Sequence, residues 1–297
     1  MKRILFVWLV LVLSVSGLCA EKAGPRVFVS VDMEGIWGIV HGDQVSSASA
    51  EYGQARRWMA EDVNAVVEGL FLAGASEVVV NDSHGSMRNI IADALDKRAS
   101  LITGTPKPLS MMQGIDATFD AVVFVGYHSR AGTAPANLDH TISGATIYAI
   151  KINGRELPEL GLNAAIAGYF RVPVIMLTGD AETCAQAKSI LGADLATVAV
   201  KEAVGRMAAR LLPRAEALEK LKSSARTSLT ERSRRKPFVL APPLQFDVEF
   251  HNSGQAEMPL LVPGIKRTGA RSVGFSASDY LEGVKLLRAV IALGGSI

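Results

Sequence analysis

The fold of this chain is decided by the stretch Val27-Phe28-Val29-Ser30-Val31-Asp32-Met33-Glu34-Gly35. Its first five residues are mostly β-branched or aromatic, which predicts a strand, and two carboxylates one residue apart follow directly. Aspartate and glutamate are seldom buried unless they are paired or bind something. The stretch therefore predicts a buried strand over residues 27–31 with a binding site at its carboxyl end.

Two further valine-rich runs end in the same way. Val78-Val79-Val80 leads into Asn81-Asp82-Ser83-His84, and Val122-Val123-Phe124-Val125 leads into Gly126-Tyr127-His128. Between the first two runs, residues 49–73 carry apolar side chains at helical spacing, and Gly74 follows as a stop. Strand, helix and strand form a βαβ unit, and its right-handed crossover makes residues 27–31 and 77–80 parallel.

The remaining pattern completes an α/β fold. Residues 121–125 and 172–177 are continuous apolar runs, typical of further parallel strands, and Asn153-Gly154 predicts a hairpin between residues 145–152 and 155–157. Helices are predicted over residues 159–169, 202–221 and 279–293, with strands at 245–250 and 272–276. The basic segment 223–236 is interpreted as a solvated loop or linker rather than as an anionic-ligand patch. We therefore predict a mostly parallel sheet flanked by helices in one domain over residues 21–200, and a smaller α+β region over residues 201–297.

Residues 1–20 have the pattern of a secretory signal peptide. Lys2 and Arg3 precede an unbroken apolar stretch, and Leu18-Cys19-Ala20 ends the segment. The apolar run is shorter than the about 20 residues that a membrane-spanning helix needs, which favours cleavage over a retained N-terminal anchor. Lipid attachment at Cys19 is disfavoured because bulky Leu18 precedes it. We expect a secreted or periplasmic protein with no stable membrane span after the signal is removed.

Charge balance and cysteine content narrow the class of protein. The chain has 31 basic and 29 acidic residues, and loss of Lys2 and Arg3 with the signal leaves 29 of each. A balanced mature chain argues against binding to nucleic acid. Loss of Cys19 leaves Cys184 as the only thiol, so no disulfide forms within the mature chain.

The polar residues that follow the predicted strands are typical metal ligands. In an open parallel sheet, ligands bind beyond the carboxyl ends of the strands, and five candidates fall at that edge: Asp32, Glu34, Asp82, His84 and His128. Carboxylate and imidazole together bind zinc or a similar divalent ion without thiolate. One zinc takes about four ligands, so this number of candidates favours a pair of ions that share a carboxylate. Two such ions, about 3.5–4 Å apart, activate a bridging water for hydrolysis.

Each candidate also has a purely structural explanation when it is taken alone. Asp32 fits a strand-end turn, Glu34 an exposed charge, and His84 or His128 a hydrogen-bonded structural histidine. For Asp82 the favoured interpretation is a cap on a following helix that also orients His84. Three of the chain's five histidines nevertheless lie near this edge or on the segment that leaves it, which favours a joint site.

The third of these histidines is His140, on the loop that follows the His128 strand. Histidine titrates near neutrality and suits proton delivery to a leaving amine or stabilisation of a tetrahedral intermediate, and the sequence does not separate that role from metal ligation. Glu159 stands at a predicted helix start, where a carboxylate also interacts favourably with the helix dipole. Asp180 ends another strand and either lines the site or caps the next helix.

Together, these motifs resemble those of the dipeptide-operon D-aminopeptidases, the M55 peptidase family. The resemblance spans about residues 26–293 and consists of ordered motifs: Ser30-Val31-Asp32-Met33-Glu34-Gly35, Asn81-Asp82-Ser83-His84, Gly126-Tyr127-His128, His140, Glu159-Leu160-Gly161-Leu162-Asn163-Ala164 and Gly254-Gln255-Ala256-Glu257. Several motifs in the right order make the resemblance more specific than any single one.

The resemblance implies two Zn²⁺ per subunit and assigns a role to each site residue. The first zinc is expected on Asp32, Glu34 and His84, and the second on the shared Asp32 with His128 and Glu159. His140 is expected to be the catalytic residue. The family further implies hydrolysis of short peptides with N-terminal D-amino acids, such as D-Ala-D-Ala, and assembly into a homo-oligomer, a ring-stacked decamer.

We therefore expect a dizinc-dependent aminopeptidase in which a metal-bridging hydroxide attacks the peptide carbonyl. The family members that this chain resembles lack a secretion signal, so it is expected to act outside the cytoplasm, on D-residue peptides from cell-wall turnover. The alternatives are another metal-dependent amidase or esterase, and an extracytoplasmic peptide- or metal-binding protein. His140 argues against the binding protein, because capture alone needs no extra histidine.

Overall fold

The computed structural model describes residues 24–297, so the predicted signal peptide over residues 1–20 lies outside the described residues. The strands are β1 (Arg26–Val31), β2 (Glu77–Asp82), β3 (Ser100–Ile102), β4 (Ala121–Tyr127), β5 (Ile147–Ile152), β6 (Arg155–Glu156), β7 (Val174–Asp180), β8 (Ala196–Gly205), β9 (Ala208–Leu211), β10 (Leu244–Phe250), β11 (Lys266–Gly269) and β12 (Ser272–Ala277). The helices are α1 (Gly42–Val45), α2 (Tyr52–Leu72), α3 (Glu159–Tyr169), α4 (Ala181–Leu191), α5 (Arg214–Thr230) and α6 (Tyr280–Gly294). Within residues 24–297, no helix has the length and apolar character needed to cross a membrane.

The strands form two sheets. Sheet A has the order β3-β2-β1-β4-β7-β8-β9, with every pair parallel except the edge strand β9, which is antiparallel to β8. Sheet B is antiparallel, in the order β11-β12-β10-β5-β6. In sheet A, Val31 of β1 pairs with Asp82 of β2 on one side and with Val125 of β4 on the other. The carboxyl ends of these three strands therefore lie side by side, and the predicted α/β fold class is confirmed.

Both faces of sheet A are apolar. Its central strands are continuous apolar runs, and successive side chains of a strand point to opposite faces. Val27, Val29 and Val31 pack into a cluster with buried residues of α2 and α5. Phe28 points into a second cluster that continues through α3 to sheet B and α6. Each large side chain buried there contributes about 1.5–3 kcal/mol. The second cluster joins the two sheets and includes residues of α6, so α6 packs on the core between them.

The predicted division at residues 200 and 201 lies within β8. Sheet B also takes strands from both sides of that position, since β5 and β6 precede it and β10 to β12 follow it. The division therefore does not coincide with a break between elements.

The helix predicted over residues 202–221 is wrong in its first half. Residues 202–205 belong to β8 and residues 208–211 to β9, and α5 begins only at Arg214 and runs to Thr230, into the segment interpreted as a loop. Alanine and glutamate favour helices in isolation. Here Val198 and Val200 are buried in sheet A, where β8 pairs with β7 as far as Lys201, and residues 202–205 pair with β9; this pairing outweighs the local preference. Pro213 then directly precedes the helix, where its missing N–H costs no hydrogen bond.

Candidate active site

The loop after β1 places Asp32 and Glu34 against the end of β4. The N–H of Gly35 donates to the carbonyl of Gly126 at 2.8 Å. A Cβ at position 35 would lie 2.0 Å from the carbonyl oxygen of Tyr127, so only glycine permits this approach. Asp32 is 3% and Glu34 4% exposed, and both carboxylates are thus held inside the protein.

A buried lysine holds the same loop from the opposite side. Lys201 on β8 is 2% exposed. Its ammonium donates to the carbonyl oxygens of Glu34 at 2.5 Å and Ile36 at 2.9 Å, and also to that of Ile39. Burial lowers the pKa of Lys201 to about 8. The lysine therefore fixes the backbone from which the Glu34 side chain projects.

His84 is positioned by the loop after β2. The carboxylate of Asp82 accepts from the N–H of Ile90 and from the side-chain amide of Asn89, both at 2.7 Å. That amide also donates to the carbonyl of His84 at 2.6 Å. Residues 83–91 form a loop, so the helix expected after Asp82 is wrong. Asp82 instead holds the loop that carries His84.

The three histidines of the site share one arrangement, in which one ring nitrogen faces a backbone carbonyl. These contacts join His84 Nε2 to Val45 at 3.1 Å, His128 Nδ1 to Ser129 at 3.0 Å and His140 Nδ1 to Leu138 at 2.9 Å. A carbonyl oxygen only accepts, so each of those nitrogens carries the hydrogen. The other ring nitrogen is left to face the carboxylates, an orientation typical of metal-ligating histidines.

Asp32 lies between two of these histidines. Its Oδ1 is 3.2 Å from His84 Nδ1, and its Oδ2 is 3.4 Å from His128 Nε2. Glu34 Oε2 is 3.1 Å from the same nitrogen of His84, and Glu159 Oε1 is 3.1 Å from the same nitrogen of His128. The site thus has two halves, each with one histidine and one glutamate, and the halves meet at Asp32.

His140 stacks on His128, with ring centroids 3.8 Å apart and planes 12° from parallel. Its Nε2 is 3.7 Å from Glu159 Oε1, which also accepts from the N–H of Ile142 at 2.6 Å. The side chain of His140 is 19% exposed, whereas that of His128 is 1% exposed. His140 is therefore the histidine of this stacked pair that solvent or a ligand reaches.

The site contains three buried carboxylates, those of Asp32, Glu34 and Glu159. Buried carboxylates are unfavourable unless positive charge lies close to them. Burial alone lowers the pKa of His84 and of His128, but the neighbouring glutamate and Asp32 raise both, and each pKa lies well above its ordinary value. Burial likewise raises the pKa of Asp32, yet the charges of the two histidines beside it hold it well below its usual range. The ionised form of Asp32 thus depends on the cationic partners beside it.

The donor set fits a divalent metal. His128 Nε2 is buried and, among the described residues, has no hydrogen-bond partner although it faces two carboxylates. Two overlapping groups have ligand atoms within 4.8 Å of one another: Asp32, Glu34 and His128, and His128, His140 and Glu159. Oxygen and imidazole ligands without thiolate are typical of zinc and similar ions. All six predicted site residues therefore come together, and their individual roles stay predictions.

Asp180 does not join this cluster. It is the N-cap of α4, where its Oδ1 accepts from the N–H of Thr183 at 2.7 Å, and its Oδ2 accepts from the N–H of Asn137 at 2.7 Å. Of the two interpretations that the sequence left open for Asp180, the structure supports the helix cap.

Comparison with known proteins identifies the family. The M55 peptidase family, described as D-aminopeptidase, matches residues 26–289. This chain belongs to the M55 peptidase family. A D-aminopeptidase of Bacillus subtilis strain 168 is 39% identical over 263 residues, which cover 86% of this chain and 93% of the relative. The solved structure of the zinc-dependent D-aminopeptidase DppA from Bacillus subtilis, described as a self-compartmentalizing protease, has a TM-score of 0.89 and 36% identity, over 92% of this chain and 98% of DppA. These matches confirm the predicted family and the class of enzyme, a metallo-aminopeptidase.

The M55 site opens into a cavity of about 270 Å³. The described residues that line it are Asp32, Ser83, His84, Gly85, Met87, Thr105, Ser110, Met111, His140, Ile142, Glu159 and Arg288. Sequence reasoning assigned no role to Arg288 or to Lys201. A charged residue among the apolar positions of α6 was a signal for Arg288, and a lysine inside a valine-rich run was one for Lys201.

Proposed function

We propose that this M55 enzyme is a dizinc aminopeptidase that removes N-terminal D-amino acids from short peptides such as D-Ala-D-Ala. The observation that carries the proposal is the position of Asp32, whose two oxygens face His84 and His128 at 3.2 and 3.4 Å. Glu34 completes one set of ligands and Glu159 the other. The name of the B. subtilis relative supports the substrate class, and the zinc dependence of DppA supports the metal.

Two zinc ions in these sets would polarise the scissile carbonyl and supply a hydroxide nucleophile by lowering the pKa of water. His140 would protonate the leaving amine. Its Nδ1 is engaged by the carbonyl of Leu138 at 2.9 Å, so Nε2 is the atom that moves a proton. As the C–N bond breaks, protonated Nε2 would donate to the nitrogen of the leaving amine. Because the ring lines the cavity, it reaches the substrate without displacing the buried ligands.

The test is an assay of purified protein with measured zinc content against D-Ala-D-Ala and L-Ala-L-Ala. We expect release of D-alanine and little or no cleavage of the L-dipeptide. Equal cleavage of both would instead favour an amidase or esterase without preference for D-residues. A stable complex without turnover at full metal loading would favour a peptide- or metal-binding protein.

We also propose that the subunits form a closed homo-oligomer, a decamer. The description of DppA as self-compartmentalizing supports a closed assembly. Val204 near the end of β8 and Met207 in the turn to β9 are 74% and 49% exposed, so they offer apolar surface at the edge of sheet A. Native mass spectrometry should find about ten times the subunit mass, and a monomer at micromolar concentration would contradict this proposal.

The pattern of residues 1–20 supports a location outside the cytoplasm, in the periplasm or the medium, with D-residue peptides from cell-wall turnover as substrates. Cell fractionation with N-terminal sequencing tests the location. We expect the mature chain to begin at Glu21. Intact protein found solely in the cytosol would remove the basis for the cell-wall substrate.

A further inference from the structure

Arg288 brings a positive charge into the cavity of the site from a distant part of the chain. It lies on α6, whereas the predicted metal ligands follow strands of sheet A or begin α3. Of the described residues that line the cavity, Arg288 alone is an arginine or a lysine. Its helix neighbours Val284 and Leu287 are buried at 6% and 4% exposure, so this side of α6 packs on the protein. Arg288 itself is only partly exposed and lines the wall of the cavity.

This guanidinium has no partner among residues 24–297. No described carboxylate forms an ion pair with it, and burial is the single influence on its pKa, which is lowered. Arg214, by contrast, is paired with Asp62, and Arg271 with Glu249. A half-buried charge without a partner is unfavourable, and a guanidinium offers a planar pair of donors that matches a carboxylate. The arrangement therefore points to an anionic ligand in the cavity.

The substrate class of the proposed function contains such an anion. In a dipeptide the C-terminal carboxylate lies one residue beyond the scissile bond, and each added residue moves it by about 3.3–3.6 Å. A cavity of about 270 Å³ suits a ligand of this size. We propose that Arg288 binds the C-terminal carboxylate of the peptide and thereby selects dipeptides with a free carboxyl end. This inference rests on the proposed function and adds the residue that binds the C-terminal end of the substrate.

The experiment compares D-Ala-D-Ala with its C-terminal amide, D-alanyl-D-alaninamide. One charge-assisted hydrogen bond contributes about 1.5–3 kcal/mol, so the wild-type enzyme should prefer the free acid by about 10- to 100-fold in kcat/KM. Arg288→Met should bring this preference close to one by raising KM for the acid while leaving the amide unchanged. Arg288→Lys should keep part of the preference, because it keeps the charge without the planar pair of donors.

Lys285→Met is the matched control on the same helix. The side chain of Lys285 is 53% exposed and pairs with Glu282 at 2.7 Å, and it does not line the cavity. Its removal deletes the same charge from α6 and should leave the preference for the acid unchanged. A loss of preference in both variants would show a general effect of charge on α6 and would overturn the role of Arg288.

Calorimetry adds a readout that does not depend on turnover. In zinc-loaded protein with His140→Ala, D-Ala-D-Ala should bind more tightly than the amide, and adding Arg288→Met should remove that difference. Equal binding of acid and amide before Arg288 is changed would overturn the inference, as would an equal loss for both ligands on Arg288→Met. If wild-type enzyme cleaves neither peptide, the proposed function fails, and the binding comparison still decides what Arg288 does.

Discussion

Replacing Asp32 should remove both metal ions, whereas replacing Glu34 should remove one. The difference follows from the contacts of the two carboxylates. The oxygens of Asp32 face His84 and His128 at 3.2 and 3.4 Å, in the two halves of the site. Among the described histidines, Glu34 forms an ion-pair contact with His84 only, at 3.1 Å. The two acids are one residue apart in sequence and almost equally buried. A difference between the two variants therefore reflects which histidines each carboxylate contacts and not how deeply it is buried.

The size of the effect follows from the strength of zinc binding. A four-ligand site binds zinc with about 10–16 kcal/mol, or about 2.5–4 kcal/mol for each ligand. Since 1.4 kcal/mol is a tenfold change in affinity, loss of one ligand should weaken an ion about 10²- to 10³-fold. Asp32→Ala should then show two weakened ions. Glu34→Ala should show one weakened ion beside one of wild-type affinity.

Competition against a chromophoric chelator, followed by metal analysis of the dialysed protein, measures these affinities. Glu219→Ala is a suitable control, because it deletes a carboxylate that is 66% exposed and outside the site. Circular dichroism should show that all three variants are folded. If Asp32→Ala keeps one ion at full affinity, Asp32 is not a shared ligand and the two-halves interpretation of the site is wrong.

Three further predictions test other parts of the molecule. His140→Ala should keep both ions and lose about 10²- to 10⁴-fold in kcat; metal analysis with kinetics checks this, and near wild-type turnover would contradict the role of His140. Lys201→Met should lower the free energy of unfolding by about 2–6 kcal/mol, because buried carbonyls of Glu34 and Ile39 lose their donor. An unchanged urea-unfolding curve would show that Lys201 does not stabilise this loop. Burial raises the pKa of Cys184 to about 12 from its ordinary 9.0. The folded thiol should therefore resist iodoacetamide at pH 9 while the urea-unfolded chain reacts, and its contribution to stability, complete below pH 9, should fall as the pH rises toward 12. Rapid alkylation of native protein would contradict this.

The central part of the fold was predictable because its signals are local and strong. Continuous apolar runs specify strands buried on both faces, and the helix predicted over residues 159–169 has the bounds of α3. Residues 202–211 were not predictable in the same way. Alanine and glutamate favour a helix there, whereas β8 pairs with the distant strand β7 as far as Lys201 and then turns back to pair with β9. The edge strands β3, β9 and β11 have three or four residues each, too few to show a period.

The residues of the candidate site were likewise predictable only in part. Asp32, His84 and His128 follow strands whose ends are adjacent in a parallel sheet, so their approach could be inferred from order alone. The contributions of Lys201 and Arg288 depend on contacts that no local pattern reveals. Lys201 reaches the carbonyl of Glu34 across 167 positions of sequence, and Arg288 reaches the cavity only because α6 packs on the core shared with sheet B.

The charges of the site connect its metal ligands with Arg288. In the proposed dizinc site, three carboxylates and the bridging hydroxide would balance the charge of two divalent ions, and Arg288 adds a positive charge to the same cavity. In this proposal the ions would activate the scissile carbonyl and the guanidinium would bind the carboxylate, so the two contributions come from different groups. Removal of the metals should abolish turnover of the acid and of the amide alike, whereas Arg288→Met should penalise the acid alone. Because the two perturbations predict different ratios of acid to amide turnover, the contribution of the ions and that of the guanidinium can be measured separately in one pair of substrates.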